Sequence, residues 1–496
     1  MVNSQVIDDE APALRRENRG RFETRYLPVL SLIYAVLGAI AILTGFISAL
    51  VWVPQFYAWY NHSPLSLGSS WKESHPSIYD SLSLGRSNGE RQIRLLRLDS
   101  HHSPISAQYE CAMEVVSLED NPRYLALSHT WGNGQFSESV VINGLEVPVT
   151  FNVKTALMQW SLHYRLSNVT HYAEAHKLPQ NMPYYLWVDA ICINQHDEME
   201  KASQIQLMSE IYTRANATVA WLGPTSSQGD AAFTSFAKIR HFGAALAEYT
   251  RPSIDPLNLF ALRRDLAPQC IRYSNYADNV SVGLNTTFDL PIQPLTAIFE
   301  DSWWRRVWTW QEAALANRIL ISWGLNTIDY QDLEHLALVL VVKWKDIKDA
   351  GKDSELESSM WYLFGKISNF SSELEWRRRN TGLHSLLESL SKIRRTRRQC
   401  SDPRDHFFGL LGMVDPDSPE MQELRDIRYS DGWVSIFIRV TQALIRVYGI
   451  DMLAFSFSAK RGFDSTAQEL LDGPRDLPSW VPDPRTPQYV ELQDPI

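Results

Sequence analysis

Cysteine is scarce in this chain, with four residues among 496. Cys111, Cys192, Cys270 and Cys400 stand far apart, so neither a disulfide framework nor a zinc site of paired cysteines can be assembled from neighbours in sequence. An excess of positive charge is missing too. Lys and Arg number 47 against 57 Asp and Glu, a net charge of −10, which argues against nucleic acid as a partner. The chain has no G-x-x-x-x-G-K-[ST] loop, no G-x-G-x-x-G behind a strand and no G-x-S-x-G elbow. No fixed-period repeat is present, which excludes a solenoid or propeller. What remains is an ordinary globular balance, 45% hydrophobic and 21% charged with 17 tryptophans, at a length that suits two or three domains.

One further absence is local. From Tyr26 to Trp71 there is no Asp, Glu, Lys or Arg. The apolar part, 27–53, exceeds the roughly 30 Å hydrocarbon core of a bilayer when helical. Trp52, Phe56, Tyr57, Trp59 and Tyr60 gather at its end as an interfacial belt would. A flexible tail over 1–25, one transmembrane helix over 27–53 and a Ser/Gly/Pro-rich linker over 61–90 are therefore expected, giving a single-pass membrane protein. Arg15, Arg16, Arg19, Arg21 and Arg25 place the N-terminus in the cytosol, while the low cysteine content points the other way for the large C-terminal part. On sequence alone the side stays open.

Beyond Ile93, short apolar runs alternate with amphipathic segments. Tyr124–Trp131 reads as a strand closed by a glycine turn, and Val140–Val149 as a hairpin turning at Asn143-Gly144. Tyr184–Ile193 and Ala217–Gly223 read as buried strands. Between them lies a helix carrying Ile205, Met208, Ile211 and Tyr212 on one face, with Asp197 and Glu200 spaced as a capping box. Strand, helix and strand in this order predict a parallel α/β sheet. Residues 224–300 read as an irregular insertion. Asp301-Ser302 opens a helix bearing Trp304, Val307, Trp308, Gln311 and Leu315, and Ile319–Gly324 is a strand. The region 326–496 reads as an α-rich extension.

Several polar residues fall at predicted strand ends. In an open parallel sheet, ligands bind outside the carboxyl ends of the strands. Ser128, His129, Asn194, Gln195 and Asp197 would converge there. Asn194 and Gln195 equally suit loop and cap hydrogen bonds, and Asp189, inside a predicted strand, reads as structural. Glu312 lies four residues after Trp308, beside an apolar helix face. Burial there would raise its pKa and suit acid–base or oxocarbenium-stabilising chemistry, whereas a salt bridge to Arg305 or Arg306 is the plainer alternative. His101-His102 reads as a solvated pair, and Arg394, Arg395, Arg397 and Arg398 as a solvated helix end. No metal site is expected.

The blocks Tyr124-Leu-Ala-Leu-Ser-His-Thr-Trp-Gly132, Leu186-Trp-Val-Asp-Ala-Ile-Cys-Ile-Asn-Gln195 and Trp303-Trp-Arg-Arg-Val-Trp-Thr-Trp-Gln-Glu312 together resemble the fungal heterokaryon incompatibility (HET) domain. So do Asp402-Pro-Arg-Asp405, Phe408-Gly-Leu-Leu-Gly412 and Leu477-Pro-Ser-Trp-Val-Pro482. The resemblance implies a filamentous fungus, a role in non-self recognition and cell death after fusion of unlike cells. It places a HET domain over 93–325, with the insertion at 224–300. An aromatic residue usually stands where this chain has His129.

A more distant likeness, to Toll/interleukin-1 receptor (TIR) domains, implies a TIR-like or flavodoxin-like core. Some TIR domains cleave NAD with a helix-borne glutamate. By that analogy Glu312 is catalytic, Trp131 or Trp308 stacks on nicotinamide, and Ser128 or Asn194 holds ribose or phosphate oxygens. NAD would then be a substrate, not a cofactor. The competing class is a non-enzymatic module that acts through protein partners or self-association.

Overall fold

The computed structural model describes residues 77–85, 91–99, 101–102, 109–131, 136–250, 290–349, 354–379 and 385–450, with 452, 477, 478 and 481. The predicted tail, the apolar run at 27–53 and most of 61–90 lie outside them. Among the described residues no helix is long and apolar enough to cross a membrane. The expectation of a single-pass membrane protein is corrected on that finding. The longest helices carry charges throughout, as in Ser354–Arg379 with its five Glu, Lys or Arg within the last eight positions. Part of the predicted linker is ordered: Ile78–Ser81 forms a helical turn, capped reciprocally by Ser77 and Asp80, and Ile78 enters the core.

Eleven strands and nine helices of eight or more residues organise the described chain. The strands are β1 (Gln92–Arg97), β2 (His101–His102), β3 (Tyr109–Cys111), β4 (Met113–Ser117), β5 (Tyr124–His129), β6 (Glu138–Ile142), β7 (Leu145–Val149), β8 (Tyr185–Val188), β9 (Ala217–Trp221), β10 (Ile319–Trp323) and β11 (Asn326–Asp329). The helices are α1 (Phe151–Leu166), α2 (Glu198–Arg214), α3 (Ser227–Thr250), α4 (Ile292–Glu300), α5 (Val307–Leu315), α6 (Tyr330–Asp349), α7 (Ser354–Arg379), α8 (Leu386–Arg395) and α9 (Trp433–Tyr448).

A seven-stranded sheet runs β11-β10-β9-β5-β8-β1-β4, and a four-stranded sheet runs β2-β3-β6-β7. Pairs β5–β8, β5–β9 and β9–β10 are parallel, whereas β1, β4 and β11 flank them antiparallel. Every residue of β5 and β9 is buried, which is why both read as continuous apolar runs rather than alternating ones. Counted along the chain, the four parallel strands lie side by side as second, first, third, fourth. The order therefore reverses between β5 and β9, and in open α/β sheets ligands bind in the crevice at such a reversal.

The Asn143-Gly144 hairpin is present as read. Asn143 and Gly144 have φ of 51° and 80°, the left-handed pair a type I′ turn requires. The second strand differs from its reading. It ends at Val188, and Asp189–Cys192 coils into a helical turn, so Asp189 stands at the strand's carboxyl end instead of within it. The irregular insertion also differs at both ends, where α3 and α4 form; 251–289 lie outside the described residues. Ala232, Phe233, Phe236 and Ile239 make a buried helical stripe in α3 that packs with α4, α6 and α7 over one end of the sheet.

The last helices form a third core around Trp310, Phe407, Leu410 and Ile436. Here the Phe408–Gly412 motif gains its reason. A Cβ at Gly409 would come within 2.8 Å of the Asp405 carbonyl and 2.9 Å of Val307, and one at Gly412 within 2.7 Å of Ser209. Only glycine lets this loop lie against α5 and α2 at once. Arg398, expected on a solvated helix end, is buried, and its guanidinium donates to the carbonyls of Trp304 (3.3 Å) and Arg306 (3.0 Å).

Candidate functional site

The Trp-rich block is not one helix. Asp301 accepts from the Trp303 N–H at 2.7 Å and starts a 3-10 turn over Ser302–Arg305. Arg306 is extended (φ −74°, ψ 146°), and α5 begins only at Val307. This break aims Trp303 and Glu312 at the same point from two elements. The Trp303 indole donates to Ser128 Oγ at 2.7 Å, and Ser128 donates onward to Glu312 Oε2. The Tyr212 hydroxyl, from α2, lies 3.3 Å from the Leu127 carbonyl and also bonds the Glu312 carboxyl. Thr309 holds the break together through the carbonyls of Trp303 and Arg306.

Burial is the first cause that raises the Glu312 pKa, to about 7, and the nearby Asp189 charge adds to it; Ser128, Arg306 and Tyr212 act the other way. A carboxyl group sealed from water keeps its proton longer because the charged form loses its hydration. The folded state thus holds a proton that the unfolded chain releases near the ordinary glutamate value of 4.5. Stability from this group is fully present below pH 4.5 and is lost as pH rises towards about 7. Urea unfolding of the full chain should show a fall on the order of 2–3 kcal/mol across that window attributable to Glu312. Glu312→Gln should flatten this part of the profile; an unchanged slope in the variant would refute the assignment.

Beside this cluster, Asp189 receives the Trp131 indole N–H at 3.2 Å and the Ala190 N–H at 2.8 Å, and His129 Nδ1 approaches it at 3.5 Å. The His129 imidazole is buried, which lowers its pKa despite Asp189 and keeps it neutral, and its Nε2 has no hydrogen-bond partner among the described residues. Arg306 donates to the His129 carbonyl at 2.5 Å. Ser128, His129, Trp131, Asp189, Trp303, Arg306 and Glu312 thus meet at the carboxyl ends of β5 and β8, beside the reversal in strand order.

The other anticipated residues are placed differently. Asn194 accepts from the His196 N–H, and its own N–H donates to Glu200 at 2.7 Å. Gln195 donates to the Asp189 carbonyl, and Asp197 caps α2 through the N–H groups of Met199 and Glu200. These three serve loop and cap, the alternative already open for Asn194 and Gln195. Trp308 bonds Asp405 and packs against both the main core and the C-terminal core. Asp189, Tyr212, Trp303 and Arg306 were not anticipated as members of the site. Asp189 carried one usable signal, a lone carboxylate closing the buried run Leu186-Trp-Val188. Among the described residues no group of His, Cys, Asp and Glu is arranged to hold a metal ion.

Comparison with known proteins matches residues 124–312 to the family described as heterokaryon incompatibility protein (HET). That segment starts with β5 and ends on Glu312, so its two ends meet in space at the Ser128–Glu312 bond. The Neurospora crassa protein named heterokaryon incompatibility protein 6, OR allele, is 26% identical over 426 residues, covering 82% of this chain. The chain spans 59% of the length of that relative. No solved structure matches it significantly.

Proposed function

We propose, from the match of residues 124–312 to the heterokaryon incompatibility family, that the chain acts in fungal non-self recognition and transmits it to cell death through the polar site between β5, β8 and α5. One observation carries this reading. Three blocks separated by tens to more than a hundred residues deliver Ser128, Asp189 and Glu312 to one place, at the position where open α/β sheets hold their ligands. A domain that served only as a rigid spacer would have no use for a buried acid there, since such a group costs stability above neutral pH.

The experiment is expression of the full chain in a filamentous fungus, as wild type and as Glu312→Gln, with viability scored at equal protein level. Loss of killing in the variant, with an unchanged thermal midpoint at pH 5, supports the site. Killing that survives Glu312→Gln but is lost on changing exposed aromatic residues such as Phe136 or Tyr362 supports the non-enzymatic, self-associating alternative.

NAD cleavage at the nicotinamide bond is a second reading. In its favour stand the strand order second, first, third, fourth, which is that of the flavodoxin-like sheet, and an acid titrating near neutrality at the reversal. The TIR likeness belongs to this reading. Nicotinamide release by the purified chain, abolished in Glu312→Gln, is its expected result, and no release by an assembled sample rejects it.

A further inference from the structure

Arg306 has an unusual position among the charges of the site. Its backbone is fixed on both sides, by Val307 N–H to the Gln399 carbonyl (3.0 Å) and by Arg398 onto its own carbonyl (3.0 Å). One arm of its guanidinium is fixed too, on the His129 carbonyl at 2.5 Å. The rest of the guanidinium, Nε and the second arm, has no partner among the described residues, and Arg306 forms no ion pair there. Yet Glu312, Asp405 and His129 all sense its charge. It is half-buried, so the free edge is neither lost in the core nor fully hydrated.

An arginine that is close to several acids and paired with none is held back from them by the fold. Its delocalised charge and planar fork suit a two-point bond to an oxyanion. Next to it, Asp189 remains partly exposed, with side-chain accessibility of 22%, and accepts hydrogen bonds only. Trp131, tied to Asp189 through its indole N–H, is half-buried and offers an aromatic face. Cation, carboxylate and ring are the three groups that meet the phosphate, the sugar hydroxyls and the base of a nucleotide.

We propose that Arg306 is the anion anchor of the site and that the ligand is a nucleotide, with a phosphate on the free edge of Arg306, hydroxyls on Asp189 and the base against Trp131. The proposal rests on the reading of this sheet end as a ligand site; it shares the nucleotide class with the second reading above and adds Arg306 as the anchor of the phosphate. Burial favours the neutral form of both Glu312 and Asp405, which reduces the negative charge an incoming phosphate would meet. Binding requires only non-covalent contacts and is independent of whether the ligand is later cleaved.

Calorimetry on the full chain with ADP, adenosine, inorganic phosphate and citrate tests it. The expected result is ADP binding at least tenfold tighter than adenosine, with phosphate and citrate weaker than ADP. Arg306→Gln should bring ADP down to the level of adenosine and leave adenosine unchanged. Arg306→Lys, which keeps the charge and a donor for His129, should lose most of the advantage of ADP because it lacks the second edge. Should the glutamine variant fail to fold, the lysine variant decides. ADP no tighter than adenosine, citrate as tight as ADP, no ADP binding at millimolar concentration, or an ADP advantage unchanged in the lysine variant each overturns the proposal. None of these touches the Glu312→Gln viability result, so failure of the ligand class and failure of the site are told apart.

Discussion

Arg94→Met should destabilise the full chain by about 3–5 kcal/mol, read as a lowered urea midpoint, because it leaves a carboxylate without its partner. Arg94 lies in β1 and is fully buried. Its guanidinium forms a two-point bond to Glu200 at 2.6 and 2.8 Å and donates to the carbonyls of Leu82 (2.8 Å) and Cys192 (3.0 Å). The Tyr79 ring lies 4.8 Å from it. Glu200 also receives the Asn194 N–H, so one ion pair fixes the loop that leads from Asp189 to the cap of α2. Methionine fills much of the same volume, so the cost measures the stranded charge rather than a cavity. Adding Glu200→Leu should then recover most of the loss, since a buried pair replaced by apolar groups is often neutral in stability. A loss below about 1 kcal/mol in the single variant, or a double variant no better than the single one, would refute this account.

Trp303→Ala should cost about 3–5 kcal/mol by the loss of a large buried ring. Trp303 is fully buried and packs edge-on to Trp304 and Phe370, with ring centroids 4.9 and 5.9 Å away. Its indole N–H is also the donor that holds Ser128 Oγ, so the variant removes one end of the chain that runs Trp303, Ser128, Glu312. Trp303→Phe separates the two effects. It keeps much of the ring and loses the donor, and should cost about 1–2 kcal/mol. Because Ser128 is then free to turn, the Glu312 contribution to the pH profile should change in both variants. Equal losses for phenylalanine and alanine would show that packing is not the larger part.

The parallel strands were legible because burial on both faces writes itself as an apolar run, and the hairpin because only a few residues accept the left-handed turn of Asn143-Gly144. The C-terminal region is helical as its α-rich reading implies, with α6 to α9 in it. Helix α3 is hard to read from sequence, although Ala232, Phe233, Phe236 and Ile239 repeat at helical spacing, because Gly, Ser and Thr around them resemble a loop. The antiparallel flanks β1 and β4 have no sequence mark of their partners, since pairing is decided by distant segments.

In the site, Ser128, His129, Trp131 and Glu312 stood out from the sequence by residue type and by place at element ends. Asp189 did not, because an apolar run does not reveal where a strand stops and coils. Tyr212 was visible only as one more apolar position on α2. Spacing alone pairs Arg306 with Glu312 in a salt bridge, whereas the extended break before α5 directs it to the His129 carbonyl.

Local periodicity and short motifs suffice for the α/β class, the order of the parallel strands along the chain and the resemblance to the incompatibility family. Which strands lie side by side, the meeting of Ser128 and Glu312 across 184 positions, and the packing of Gly409 and Gly412 against α5 come from contacts between distant segments. The reason is physical. Periodicity records how much of each residue is hidden from water, but the partner that hides it, and the charge a buried acid can keep, are fixed only when distant segments close around it.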